Sequence, residues 1–202
     1  MKNPKRNQQS TPSDESVSNG VRTILPEQKN PVLRKEAERI LLSEIKSRRI
    51  QNLIKEMKAL LAKEEFGVAL AAPQVGEAIR LFIVSGKALA RGGRNTPDEL
   101  GKHEEVEVSL PDQVYINPEL IKLSRSRKEK HEGCLSVRGL WGIVRRAEKA
   151  TIRAYDESGV RFTRGTSGFL AHIFQHEMDH LGGILYTDKA TELYKENEDR
   201  KQ

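Results

Sequence analysis

The segment His176-Glu177-Met178-Asp179-His180 carries the strongest chemical signal in this chain. On a helix, positions i and i+4 project from one face, so the two imidazoles can converge on a single metal ion. Glu177, next to the first histidine, can reach a water held there and take its proton. The bland alternative is a helix with two incidental histidines, and the intervening glutamate weighs against it.

A metal site needs a third ligand. His172 lies one turn before His176 but eight residues from His180. That is about 12 Å along a helix axis, too far for two bonds of about 2 Å to one ion. His172 is therefore expected as a wall residue or a partner for solvent. A metzincin would carry HExxHxxGxxH; Gly183 fits, but Tyr186 stands at the last position. A thermolysin-like site would draw on Glu192, Glu196 or Glu198, all in a charged tail. Cys134, the single cysteine, is the better candidate. A thiolate is a soft, strong ligand that loses its proton on binding. With two neutral imidazoles it leaves a fourth position open for water.

These residues need elements to position them. Ile45, Ile50, Leu53, Ile54, Met57, Leu60 and Leu61 recur at helical spacing. They predict an amphipathic helix over 43–65 that ends near Gly67. GVALAAPQVG (67–76) reads as a tight loop or irregular strand, and IRLFIV (79–84) as a buried strand. Glycines, prolines and charges across 86–112 predict a surface insertion with at most a short hairpin. Strand character resumes at 114–116 and 120–123. Residues 143–155 alternate and lead through a turn at 156–159 into VRFT, an antiparallel pattern. Residues 168–180 predict a second helix, stopped by Gly182-Gly183. The expected fold is α+β: antiparallel sheets packed around a C-terminal metal-binding helix, with an N-terminal amphipathic helix.

Composition narrows the class. The 202 residues suit one domain with spare length. Residues 1–20, rich in Asn, Gln, Ser and Pro, predict a disordered polar tail that is neither signal nor transit peptide. Residues 21–188 form the expected catalytic domain, and 189–202 a short charged tail. No apolar stretch is long enough to span a membrane. One cysteine permits no internal disulfide, which suits a reducing cytoplasm. The net charge of +6 implies weak attraction to polyanions, with nothing that points to DNA. The densest basic run, Lys122, Arg125, Arg127, Lys128 and Lys130, reads as a solvated hairpin, or as a patch for ribosomal RNA.

Three segments in order, GVALAAPQ (67–74), EGCLS (132–136) and QHEMDH (175–180), give the chain a specific resemblance to peptide deformylases. NPVLRK (30–35) and YINPEL (115–120) are similar as well, and the likeness spans about residues 22–188. The resemblance implies a cytoplasmic hydrolase that removes the N-formyl group from the N-terminal methionine of newly made proteins. It implies one divalent ion on Cys134, His176 and His180: ferrous iron by preference, with zinc, nickel or cobalt as substitutes. Glu177 would be the general acid/base. The Gln74 side-chain amide and the Leu135 backbone N–H would donate to the oxyanion. On chemistry alone, Gln74 also reads as a turn-capping amide. Glu132 would pair with Arg146 behind Cys134. The N-formylmethionyl peptide would run strand-like along residues 67–70, Val68 and Ala69 included, and along Gly133. Val68, Phe169, His172 and Ile173 would border the methionine pocket.

The sequence also departs from that pattern. Ala69 replaces a glycine, and at positive φ an alanine would cost about 1 kcal/mol. Trp141 stands where many relatives have arginine, Arg138 where many have proline, and His172 where an aliphatic residue is usual. For Trp141 the bland reading is packing over the core. Two other functions compete: a general metallopeptidase, against which the cysteine ligand counts, and a formyl-peptide binder without turnover, against which the intact Glu177 counts.

Overall fold

The computed structural model describes residues 22–92 and 110–195. The tail expected over 1–20, and Glu196 and Glu198, lie outside them. Eight strands are described: β1 (Ala69–Ala71), β2 (Leu81–Val84), β3 (Gln113–Leu123), β4 (Arg127–Cys134), β5 (Val137–Ala147), β6 (Lys149–Tyr155), β7 (Arg161–Ser167) and β8 (Glu192–Lys195). Three α-helices accompany them: α1 (Arg48–Lys63), α2 (Gly86–Gly92) and α3 (Gly168–Leu181). All pairing between these strands is antiparallel, in a five-stranded sheet ordered β1-β2-β3-β6-β7 and a three-stranded sheet ordered β4-β5-β8.

Helix α1 begins at Arg48 rather than at 43, because Leu42–Glu44 is a 3-10 turn and Ser47 is the N-cap. Ser47 Oγ accepts from the Ile50 amide at 3.3 Å, which satisfies one orphan donor of the first turn. Ile50, Leu53, Ile54, Met57 and Leu61 fall on one stripe and are buried. Each contributes about 1.5–3 kcal/mol of burial. The stripe packs with Leu70, Leu81, Ile83, Val114 and Ile116 on one face of the larger sheet. On the other face Phe82, Val84 and Tyr115 pack with Leu170, Ile173 and Phe174 of α3. Strand β2 is therefore enclosed on both sides, which is why LFIV is an unbroken apolar run.

The insertion expected at 86–112 opens instead with helix α2. Ser85 Oγ accepts from the Ala88 amide at 3.2 Å, and Ala88 and Leu89 are buried. Three consecutive apolar residues, Ala88 to Ala90, reveal no helical period. The basic run is not a hairpin: β3 pairs with β6 and β4 pairs with β5, so the run crosses a bend between sheets. Bonds from Ser124 N to Lys149 O (2.9 Å) and from Glu148 N to Ser126 O (3.1 Å) keep the two long strands paired through that bend. The alternating stretch 143–155 is accordingly two strands, broken at Glu148. The charged segment expected as a tail includes β8, which adds to β5 with Trp141 opposite Tyr194. Backbone ladders need no apolar side chains, so composition concealed it.

Helix α3 is buried on most of its surface. Gln175 ties it to the end of β5: its amide donates to Ala147 O at 2.9 Å and its carbonyl accepts from Ala147 N at 2.9 Å. After the helix, Gly183 sits at φ 71° against the Arg34 backbone, where an added Cβ would lie 2.9 Å from the carbonyl oxygen. Only glycine fits that exit.

Candidate active site

Helix α3 and strand β4 bring the chemical residues together. Donor atoms of Cys134, His176 and His180 all lie within 4.8 Å of one another, a group that could hold a metal ion. Cys134 Sγ is 3.3 Å from His180 Nε2. His172, on the same helix, is turned elsewhere: its Nε2 is 2.8 Å from Glu132 Oε1. The expectation of a solvent partner for His172 is thus corrected, although the residue does line the cleft wall.

Glu132 organises the floor. It is 2% exposed. His176 Nδ1 is 2.8 Å from its Oε2, and Arg146 donates to both oxygens, Nε at 2.7 Å and Nη2 at 3.0 Å. Binding His176 through Nδ1 leaves its Nε2 for the donor group. Burial alone would raise the Glu132 carboxyl, but bonds from His172, His176 and Arg146 outweigh it and hold the group well below the usual range. Arg146 also reaches Asp179 at 2.6 Å, and Lys189 bonds the other oxygen of Asp179 at 2.6 Å. This network fixes α3 against β5 through ion pairs.

Burial lowers His176 as well, yet bonds to Cys134 and Glu132 prevail and keep it well above an ordinary histidine. His180 is pushed well below by burial, with the charge of His176 adding to it. Burial pushes the Glu177 carboxyl up to about 7. Glu177 Oε2 and His180 Nδ1 are buried without a partner. A buried polar oxygen without a partner is costly, and Glu177 lies in the cleft lining beside the donor group.

Gln74 sits in the turn after β1. Its Oε1 accepts from Ala71 N at 2.8 Å, while its Nε2 donates to Cys134 Sγ at 3.5 Å and makes a long contact of 3.4 Å to Ser136 Oγ. One end is anchored and the donor end faces the cluster. The turn-capping role and an amide directed at the site are here the same geometry.

A cleft of about 580 Å³ opens onto these groups. Val68, Ala69, Gln74, Gly133, Cys134, Leu135, Phe169, His172, Ile173, His176 and Glu177 all line it, with His180 buried beneath. Ala69 is not strained: among the described residues Asn117 is the one non-glycine at positive φ, and Ala69 lies in β1, paired with Val84. Trp141 does not pack over the core but lines the cleft. Sequence reasoning missed the bond from His172 to Glu132, the Gln175 clamp and the Asp179–Lys189 extension. For His172 the spacing was a signal, because it lies one turn before His176 on the same helix face; Gln175, next to His176, points to another face and gave none.

An HExxH helix set against a cysteine-bearing strand defines a class of hydrolase. The comparisons agree: the family described as Polypeptide deformylase matches residues 21–196. A peptide deformylase of Leptospira biflexa is 37% identical over 172 residues, 84% of this chain and 89% of that protein. A crystal structure of a peptide deformylase from Legionella pneumophila aligns with a TM-score of 0.67 at 32% identity, covering 85% of this chain and 87% of that one. A Met-Ala-Ser-bound class I type b enzyme from Acinetobacter baumannii aligns at 0.68 and 29% identity, covering 84% and 98%. The chain belongs to the polypeptide deformylase family, hydrolases that remove the N-formyl group from nascent peptides.

Proposed function

We propose that this chain hydrolyses the formamide of N-formylmethionyl peptides, using Cys134, His176 and His180 to hold one divalent ion. The observation that carries the reading is the convergence of those three donors beside a buried Glu177 oxygen without a partner. The donor set fits such an ion: one thiolate and two imidazoles suit Fe(II), with Zn(II), Ni(II) or Co(II) as substitutes. When bound, the ion supplies a Lewis acid that polarises the formyl oxygen and acidifies a nearby water.

The chain's own residues do the rest. Glu177 takes the proton of the attacking water and returns one to the leaving amine. The Gln74 amide and the Leu135 N–H donate to the oxyanion that develops on the formyl oxygen. Anchoring at Ala71 preorganises Gln74 for that task. A formyl carbon bears only hydrogen beside its oxygen and nitrogen, so it can approach where an internal peptide would be blocked. Strands β1 and β4 are both sheet edges. The peptide can therefore pair with residues 67–70 on one side and Gly133 on the other, as an added strand. Val68, Phe169, His172 and Ile173 border the methionine side chain. The Met-Ala-Ser held by the Acinetobacter neighbour supports a peptide of that kind here.

The reading places the activity in the cytoplasm, consistent with the lone cysteine; among the described residues no helix is long and apolar enough to cross a membrane. It also allows a transient ribosome contact at the cations of 122–130, of which Lys128 is paired with Glu148 at 2.9 Å. Equal low-salt co-sedimentation of charge-reversed and unaltered protein would remove that contact.

The test is anaerobic loading with Fe(II), Ni(II) or Co(II) and assay of formyl-Met-Ala-Ser. Formate release is expected, and Glu177→Ala should keep metal while losing turnover. No formate with any metal would reject the proposal.

A further inference from the structure

One wall of the cleft carries an aromatic group that the reaction itself does not use. Pairing of His131 with Ile143 and of Trp141 with Tyr194 places His131, Gly133, Trp141 and Tyr194 on one face of the smaller sheet. Tyr194 Oη and His131 Nδ1 are 2.5 Å apart, and their rings meet edge-on with centroids at 5.8 Å. Trp141 is half-buried and lines the cleft. Its ring carbons Cζ3, Cε3 and Cη2 lie 3.3, 3.4 and 3.4 Å from where a Cβ on Gly133 would sit. Three neighbouring carbons at nearly equal distance put the ring face-on to the glycine. Gly133 thus lets the indole lie flat on β4; even a methyl group there would be tight against the ring.

A peptide added along the edge of β4 at Gly133 passes beside this ring. Arg138, on the same rim, is paired with Glu64 at 2.7 Å, so the indole is the recognition group this wall offers. We infer that Trp141, laid flat on Gly133 and flanked by Tyr194, makes the enzyme favour an aromatic or large aliphatic side chain in the two residues after formylmethionine. The inference rests on the deformylase reading and adds a substrate preference to it. Aromatic contacts of this kind are worth roughly a three- to tenfold change in specificity.

The experiment uses Ni(II)-loaded protein and two peptide series, formyl-Met-Xaa-Ser and formyl-Met-Ala-Xaa, with Xaa as Phe, Leu, Ser or Asp. Phe or Leu should exceed Ser in kcat/KM by about three- to tenfold at one of the positions, through KM rather than kcat. Trp141→Ala should bring that ratio close to one, and Trp141→Phe, which keeps a ring, should retain most of it. Formate release with a flat Xaa series in the unaltered protein would overturn this inference alone. A ratio undiminished in Trp141→Ala would overturn it too. No formate from any peptide would overturn the deformylase reading and this inference with it.

Discussion

The floor and the rim of the cleft are both built from ion pairs, at nearly the same distances, yet they differ in physics. Glu132 and Arg146 meet at 2.7 Å with side chains 1% and 5% exposed. Arg138 and Glu64 also meet at 2.7 Å, but Arg138 is 64% exposed. At the rim, water replaces a lost partner. At the floor it cannot, and a deleted partner leaves a buried charge uncompensated. Distance alone therefore says little about weight. The geometry of the site rests on the floor, and the rim is free to vary with the peptide.

Four substitutions sharpen that contrast. Glu132→Ala should have the largest effect, a loss of about 3–5 kcal/mol in urea unfolding, because Arg146 keeps only Asp179 and the buried His172 and His176 lose their shared acceptor. Competition with a chelating dye should show metal affinity lowered by roughly 10–100-fold. A change below about 1 kcal/mol would mean the floor behaves like the rim. Gln74→Ala acts on turnover instead: kcat should fall by about 10²–10³ with metal content kept. An unchanged kcat would remove Gln74 from the oxyanion site.

Tyr115 offers a comparison in the sheet core, away from both regions. Burial pushes its hydroxyl up to about 12, against the nearby Arg164. A folded-state value above the unfolded one near 10 gives stability that is whole below about pH 10 and lost as pH rises through about 12. Tyr115→Phe should remove that dependence, on the order of 2 kcal/mol, in unfolding series between those pH values. Persistence of the same slope would assign it to another group. Arg138→Ala should be the mildest, within about 1 kcal/mol in stability. A larger loss would contradict the contrast from which these expectations start.

The grouping of Cys134, His176 and His180 was more legible in the sequence than the scaffold. Cys134, His176, Glu177 and His180 announce themselves by residue type and spacing, and the argument that His172 stands too far along the helix from His180 agrees with its turn toward Glu132. Helix α1 was legible because one face is buried and the period is clear. Helix α2 and strand β8 were not, since one is a short helix with two buried apolar residues and the other is a four-residue strand within a charged stretch, joined to β5 by its backbone ladder. The partition of β3 and β4 into different sheets is a long-range fact that local pattern cannot carry. Nor could composition reveal Trp141 lying on Gly133, which depends on cross-strand register.

The central claim is that one cysteine sulfur and two imidazoles share a single cation. Anaerobic reconstitution with Co(II), followed by absorption spectroscopy and metal quantification, tests it directly. One cobalt per chain is expected, with a near-ultraviolet thiolate-to-cobalt charge-transfer band that disappears in Cys134→Ser. One bound cobalt with no such band, or a band unchanged in Cys134→Ser, would contradict it.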